Sequence, residues 1–319
     1  MAKKVIMDVD TGTDDAVALM VAALSPDIDL LAATTVNGNT RVVNCTENTL
    51  RVFDYIGADI PVYQGCPAPM VATLTPGRQP EQSADHTHQI HGEYLELPEA
   101  KSKAEEKHAV CFLIETLLAS DGDITLIPVG PLTNIGMAIR MEPRILEKIP
   151  EIVIMGGGVR LNNITPAAEF NFWADPEAAK IVMNCGRPIR LVPLDATHKA
   201  YVTKEDSDRI KNIGTPGAIA SAIVINHRMA GYKAIQPMEI AESVPVHDAL
   251  AVCSVIDPTV ITTHHLHVDV DISGGVADGQ SVADMTKKAD KKPPNAYVAL
   301  DADREKYIDM LCEILANTI

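Results

Sequence analysis

The stretch VIMDVDTGTDDAVALMVAAL, Val5 to Leu24, sets four carboxylates, Asp8, Asp10, Asp14 and Asp15, between two apolar runs that read as buried core. VIMDV has the near-continuous apolar character of a strand covered on both faces, and residues 14–24 follow the 3.6-residue period of a helix. A strand that turns through Thr11, Gly12 and Thr13 into a helix begins a parallel β-α-β arrangement, so this segment sets the fold class. In such a sheet the ligand site lies beyond the carboxyl ends of the strands, where the acidic turn falls. Asp8 and Asp10 point to the same side because strand side chains alternate, and Asp14 and Asp15 occupy the first helical turn with Thr13 as the expected cap. Capping accounts for two carboxylates and leaves two unexplained. Like charges this close raise one another's pKa unless a cation lies between them, so the cluster predicts a divalent ion. All-oxygen ligation points to a hard ion, calcium or magnesium. An EF-hand is excluded, since its glycine position holds Thr13 and its terminal glutamate position holds Leu19.

The rest of the 319 residues repeats this alternation. Strands are expected at 5–9, 30–36, 124–129, 152–156, 189–194 and 267–272, and helices near 14–24, 41–56, 105–119, 175–184, 203–211, 216–231, 247–256 and 303–316. The pattern predicts an α/β fold, a mostly parallel sheet with helices on both faces. The segments 65–98 and 283–295 have loop composition, and no repeat or interdomain linker interrupts the chain. With 46% hydrophobic and 22% charged residues the composition is that of a compact protein, and no apolar run is long enough to span a bilayer. The opening MAKKVIMDVD lacks the features of a signal peptide, which predicts a cytoplasmic protein. Six cysteines without a C-x-x-C pair read as free thiols. A formal charge of −16 disfavours nucleic acid and anionic membrane as partners and suits a small neutral or cationic ligand or a metal ion.

Further polar groups fall at the other strand ends. Asn37 and Asn39 follow the 30–36 strand, Asn134 follows the 124–129 strand, and Glu169 and Asn171 flank Phe170 at period two, so both are expected to face one pocket with the phenylalanine packed behind. His247 and Asp248 open an apolar helix.

Together these residues resemble the inosine-uridine nucleoside hydrolase family. DVDTGTDDA (8–16) is similar to that family's DxDxGxDDA signature, and the likeness continues in order through VNGN (36–39), ITLIPVGPLTNI (124–135), IVIMGGG (152–158), AEFNFWADPEAA (168–179), PLDAT (193–197) and VHDALAV (246–252). The resemblance spans essentially the whole chain and implies one nucleoside hydrolase domain over 1–319, with an open mixed sheet of Rossmann-like topology. It implies hydrolysis of the N-glycosidic bond of ribonucleosides to ribose and free base, in nucleoside salvage, by a homodimer or homotetramer. It further implies a calcium ion held by Asp10, Asp15, the Val129 carbonyl and Asp248, with Asp10 as general base toward water. Asp14, Asn39, Met155, Asn163, Glu169, Asn171 and Asp248 match the ribose-binding positions. His91 matches a residue pointing into the site, and His247 the histidine near the leaving base.

Such a reaction builds positive charge on the sugar, which carboxylates, amide oxygens and a methionine sulfur stabilise. His247, with an intrinsic pKa near neutrality, suits protonation of the base. The pocket is expected to offer no arginine or lysine for a 5′-phosphate. QIHGEYLELPE replaces the glycine-rich lid of many members, and the run DHTHQIH spaces His86, His88 and His91 like metal ligands, although a mobile loop is the expected reading, since zinc sites draw their ligands from rigid elements. His227, Arg228 and Tyr232 are candidate base contacts. Two other readings stand beside this one. The first is a noncatalytic calcium- and ribose-binding homologue. The second is a haloacid-dehalogenase-type phosphatase, whose DxDGT motif DVDTGT approaches except for the inserted Thr11.

Overall fold

A computed structural model describes residues 2–71, 74 and 90–319. Its main sheet has eight strands in the order β3-β2-β1-β4-β5-β6-β12-β9. They are β1 (Lys3–Val9), β2 (Ile28–Thr35), β3 (Val62–Gln64), β4 (Ile124–Pro128), β5 (Ile152–Met155), β6 (Ile189–Val192), β9 (Ile261–Leu266) and β12 (Ala296–Ala302). All neighbours pair in parallel except β12 with β9, which is antiparallel. Two small antiparallel pairs stand apart, β7 (Tyr201–Thr203) with β8 (Ser243–Pro245) and β10 (Val268–Val270) with β11 (Ser281–Ala283).

The chain winds outward from β1 through β2 to β3, then returns to β4 on the other side and winds outward again. That reversal between β1 and β4 is the switch point at which a crevice opens beyond the strand ends. The mostly parallel, mixed sheet with helices on both faces is the architecture expected from sequence.

Alternation along β1 divides the core. Val5, Met7 and Val9 join the cluster beneath α1 (Thr13–Leu24), α2 (Val42–Ile56), α9 (Pro216–Ile235), α10 (His247–Ile256) and α11 (Arg304–Leu315). Ile6 joins the cluster beneath α3 (Ala109–Ala119), α4 (Thr133–Met141) and α6 (Pro176–Met183). α1 is buried almost all round because α9, α10, α2 and α11 enclose it, which explains why a helix with two acids in its first turn is otherwise apolar. Short helices α5 (Phe170–Ala174), α7 (Leu194–Thr197) and α8 (Lys204–Lys211) complete the chain.

Two expectations need correction. Residues 267–272 do not extend the main sheet; only Val268–Val270 is strand, in the β10–β11 pair. The strand that does extend it is β12, which follows the loop-like 283–295 segment and lies between β6 and β9. Val298, Ala299 and Leu300 are buried in a row, and Ala299 joins one core cluster while Ala296, Val298 and Leu300 join the other, so this strand is covered on both faces. The reading of His86 and His88 lies outside the described residues.

Candidate active site

The carboxyl ends of β1 and β4 open into a cavity of about 340 Å³. Asp10, Asp14, Asn39, His91 and Val129 line it from the β1 side, and Met155, Asn163, Glu169 and Asn171 from the β5 side. His247 and Asp248 complete it. Of the residues expected at the site, Asp15 alone lies beneath the lining, fully buried.

The turn after β1 is held by its own acids. Asp15 accepts hydrogen bonds from the amides of Asp10 (3.1 Å) and Gly12 (3.0 Å) and from Asn39 Nδ2 (3.2 Å). Helix α1 is therefore capped through Gly12 and Asp15, and Thr13 is not the cap: its amide donates to His91 Nδ1 at 3.1 Å. Asp10 Oδ2 accepts from the Asn39 amide at 2.7 Å. The backbone approaches Asp10 so closely that a Cβ on Gly38 would stand 2.0 Å from Oδ2, which only glycine avoids. Asp8 lies deeper and ties strands together, taking hydrogen bonds from Thr34 Oγ1 (2.6 Å) and Asn134 Nδ2 (2.8 Å), while its Oδ2 has no partner among the described residues. Burial pushes the Asp8 carboxyl up to about 7.

Carboxylate oxygens of Asp14, Asp15 and Asp248 all lie within 4.8 Å of one another, so this cluster can hold a metal ion. Burial first, and neighbouring acids second, raise Asp10 and Asp248 well above the ordinary carboxylate range and Asp15 to about 7. Among the described residues, one buried cation stands against the four carboxylates of Asp10, Asp14, Asp15 and Asp248: Arg228, whose Nη1 is 2.9 Å from Asp14 Oδ1. Ionised, the group keeps three uncompensated negative charges, and a divalent ion in this all-oxygen setting answers them. Oxygen donors of this kind suit a metal ion, and the three carboxylates that converge are Asp14, Asp15 and Asp248, of which Asp15 and Asp248 belong to the expected ligand set.

The opposite wall is built around Glu169. It caps α5, accepting from the amides of Asn171 (2.9 Å), Phe172 (3.3 Å) and Gly157 (2.7 Å). Burial pushes it up to about 7 despite these three donors. Residues 169–171 are thus not extended as expected; Phe170 lines the cavity and Phe172 packs behind. Asn171 Nδ2 donates to the carbonyls of Val129 (2.7 Å) and Met155 (3.2 Å), and Asn163 Oδ1 accepts from the Phe170 amide (2.9 Å). Four consecutive amides, Gly157 to Arg160, all donate to side chains: Glu169, Ser281 and, for the last two, Asp195.

Across the cavity, His247 Nδ1 is 2.6 Å from Thr197 Oγ1, and Nε2 is 2.9 Å from the Tyr232 hydroxyl. Burial and the Arg228 charge hold this imidazole well below its usual pKa, and each of its ring nitrogens lies within hydrogen-bond distance of a hydroxyl. Arg228, Tyr232 and Gln236 share one face of α9 and its end at i, i+4 spacing and line the same cavity. Arg228 is thus an arginine in the cavity lining, with its Nη1 already on Asp14. His227 instead points to Glu96, 3.0 Å away, outside the cavity lining.

The family model of the inosine-uridine preferring nucleoside hydrolases matches residues 5–309. The chain belongs to this family. As a nucleoside hydrolase it is an N-ribosyl hydrolase, an enzyme that cleaves N-glycosidic bonds. The pyrimidine-specific ribonucleoside hydrolase RihB of Escherichia coli is 39% identical over 321 residues, covering 99% of this chain and 98% of that protein. Among solved structures, a plant nucleoside hydrolase superposes with a TM-score of 0.89 at 29% identity, covering 99% of both chains. A purine-preferring ribonucleoside hydrolase from Gardnerella vaginalis gives 0.88 at 28% identity, covering 98% of both. The phosphatase reading of DVDTGT is set aside by this membership. Among the described residues, no helix of this nucleoside hydrolase is long and apolar enough to cross a membrane. Sequence reasoning marked PLDAT without giving it a task, and it missed Ser281 and Gln236 altogether.

Proposed function

We propose that residues 1–319 act as one nucleoside hydrolase domain that cleaves ribonucleosides to ribose and free base with a calcium ion in the Asp10, Asp15, Val129 and Asp248 shell. The observation that carries this reading is the convergence of four buried carboxylates with His247 on one cavity at the sheet's switch point. When bound, a hard divalent ion lowers the pKa of water and orients sugar hydroxyls. Asp10, pinned by the Asn39 amide, accepts the proton of the attacking water. Asp14, Asn39, Glu169, Asn171, Asn163 and Asp248 grip the ribose, and together with the Met155 sulfur they favour the positive charge that grows on the sugar ring. His91, held by the Thr13 amide on its Nδ1, faces the cavity beside Asp14. His247 works with Tyr232 at the departing base, as a hydrogen-bonded pair.

Pyrimidine ribonucleosides are the preferred substrates in this reading, because the relative at 39% identity is pyrimidine-specific whereas the purine-preferring one stands at 28%. We place the reaction in cytoplasmic nucleoside salvage by a homodimer or homotetramer; six free cysteines suit a reducing compartment. The test is release of reducing sugar from a panel of ribonucleosides, with p-nitrophenyl phosphate as control. Binding of ribosides without any sugar release would favour the noncatalytic reading instead.

A further inference from the structure

Arg228 is a buried cation with no task in the reaction as described so far. It is 2% exposed, and its guanidinium reaches three separate segments. Nε donates to the Pro245 carbonyl (2.8 Å), Nη1 to Asp14 Oδ1 (2.9 Å) and Thr13 Oγ1 (3.2 Å), and Nη2 to the Tyr232 hydroxyl (3.3 Å). The guanidinium carbon also sits 4.9 Å from the centre of the Tyr232 ring. Neutralising Asp14 needs one arm of this fork; the other is spent on a phenol.

The direction of that bond decides the chemistry. A guanidinium only donates, so the Tyr232 oxygen accepts from Arg228. When Thr197 donates to His247 Nδ1, the ring carries its hydrogen on Nε2 and the Tyr232 oxygen accepts a second time. Both lone pairs are then used, and the single phenolic hydrogen is left for the cavity. Two donors pulling on one oxygen also make its O–H a stronger donor.

We propose that Arg228 is a positioning residue for departure of the base: it fixes and polarises the Tyr232 hydroxyl as the donor to the leaving group. The inference rests on the ribonucleoside hydrolase reading above. In the step, the C1′–N bond breaks and its electron pair goes to the base nitrogen system. Water oxygen bonds to C1′ and gives a proton to Asp10; the base takes the Tyr232 proton, and the phenol recovers one from solvent as Asp10 releases its own. The sum is nucleoside plus water giving ribose plus the neutral free base, with its nitrogen now carrying the hydrogen.

Lysine separates the two arms, because it keeps a point charge for Asp14 but lacks the fork that reaches Tyr232. Arg228→Lys should lower kcat on uridine by about tenfold or more, the effect of one lost transition-state hydrogen bond, and leave p-nitrophenyl riboside within roughly threefold, because nitrophenolate departs without a proton. Tyr232→Phe should show the same selectivity, and the double variant should lose little beyond either single one. Equal losses on both substrates, or fully additive losses, overturn the proposal. Should Arg228→Lys not fold, as read by its thermal melt, Tyr232→Phe still decides: an equal loss on both substrates rejects the role. Wild-type protein that released sugar from no ribonucleoside would overturn the hydrolase reading and this inference with it; beside a normally active wild type, failure of these variants counts against Arg228 alone.

Discussion

His247 Nδ1 and Thr197 Oγ1 stand 2.6 Å apart in a pair closed to solvent, so this ring in the cavity wall is oriented by a residue from the four-residue helix α7. Thr197→Val keeps the shape and removes the hydroxyl, leaving a buried ring nitrogen unpaired. In the proposed reaction, with His247 at the departing base, that change should lower kcat on uridine by about tenfold with KM little altered, while Thr197→Ser retains most activity. Steady-state kinetics of the two variants check it; a change confined to KM would place Thr197 outside the chemistry. His247→Ala, which removes the ring itself, should cost ~10²- to 10⁴-fold in kcat.

Removal of the ion should be felt in stability as well as in rate. Without a divalent cation, the Asp10, Asp14, Asp15 and Asp248 group has Arg228 as its one buried counter-charge among the described residues. Chelation should therefore lower Tm and abolish sugar release, and calcium should restore both, since a ligand that binds only the folded state raises its stability by mass action. Asp15→Asn should weaken that response. Elemental analysis finding zinc, or a Tm indifferent to chelator, would contradict the assignment.

Asp195 accepts from the amides of Val159 (2.7 Å) and Arg160 (3.1 Å), and so fixes the loop whose Gly157 amide bonds Glu169. Asp195→Ala should destabilise the protein by about 1 kcal/mol, the cost of losing hydrogen bonds to two part-buried amides, and raise KM more than it lowers kcat. Denaturant titration and kinetics on the same preparation would show this. An unchanged KM would separate the loop from ribose binding.

Uridine 5′-monophosphate should be a poor substrate even though an arginine lines the cavity. Arg228 Nη1 is already committed to Asp14, and the surrounding acids repel a phosphate. Comparable kcat/KM for uridine and its monophosphate would show that Arg228 is free to leave Asp14.

Much of the site was legible because its residues sit where two kinds of pattern collide. Asp8, Asp10, Asp14 and Asp15 stand out as charges inside an apolar strand and helix, and Asp248 as an acid opening an apolar helix. The end of a parallel strand marked Asn39 the same way, whereas Val129 and Met155 came from the family resemblance alone. What escaped had no such contrast. β9, ITTHHL, is an edge strand with four exposed residues in a row, so it carries no apolar signal at all. α7 is too short for any period to show that Asp195 and Thr197 face opposite tasks. Glu169 was placed by an alternation argument that fails where the chain enters a helix at the next residue. Arg228 and Tyr232 were within reach, since a four-residue spacing on one helix face predicts a shared outlook. Both were named as candidate base contacts, but nothing in the sequence showed that Arg228 is the buried partner of Asp14, 214 residues away.

The distance along the chain between Asp14 and Arg228, 214 residues, also bears on how the protein is made. A ribosome adding about 5–20 residues per second exposes the acidic turn roughly 10 to 45 seconds before its buried counter-charge emerges, and Asp248 follows later still. Through that interval β1 and α1, among the most apolar segments of the sheet and its cover, hold carboxylates without the arginine that answers them. The N-terminal strand and helix therefore have reason to stay open until the far end of the chain arrives, and ion binding becomes a report that synthesis has passed α10.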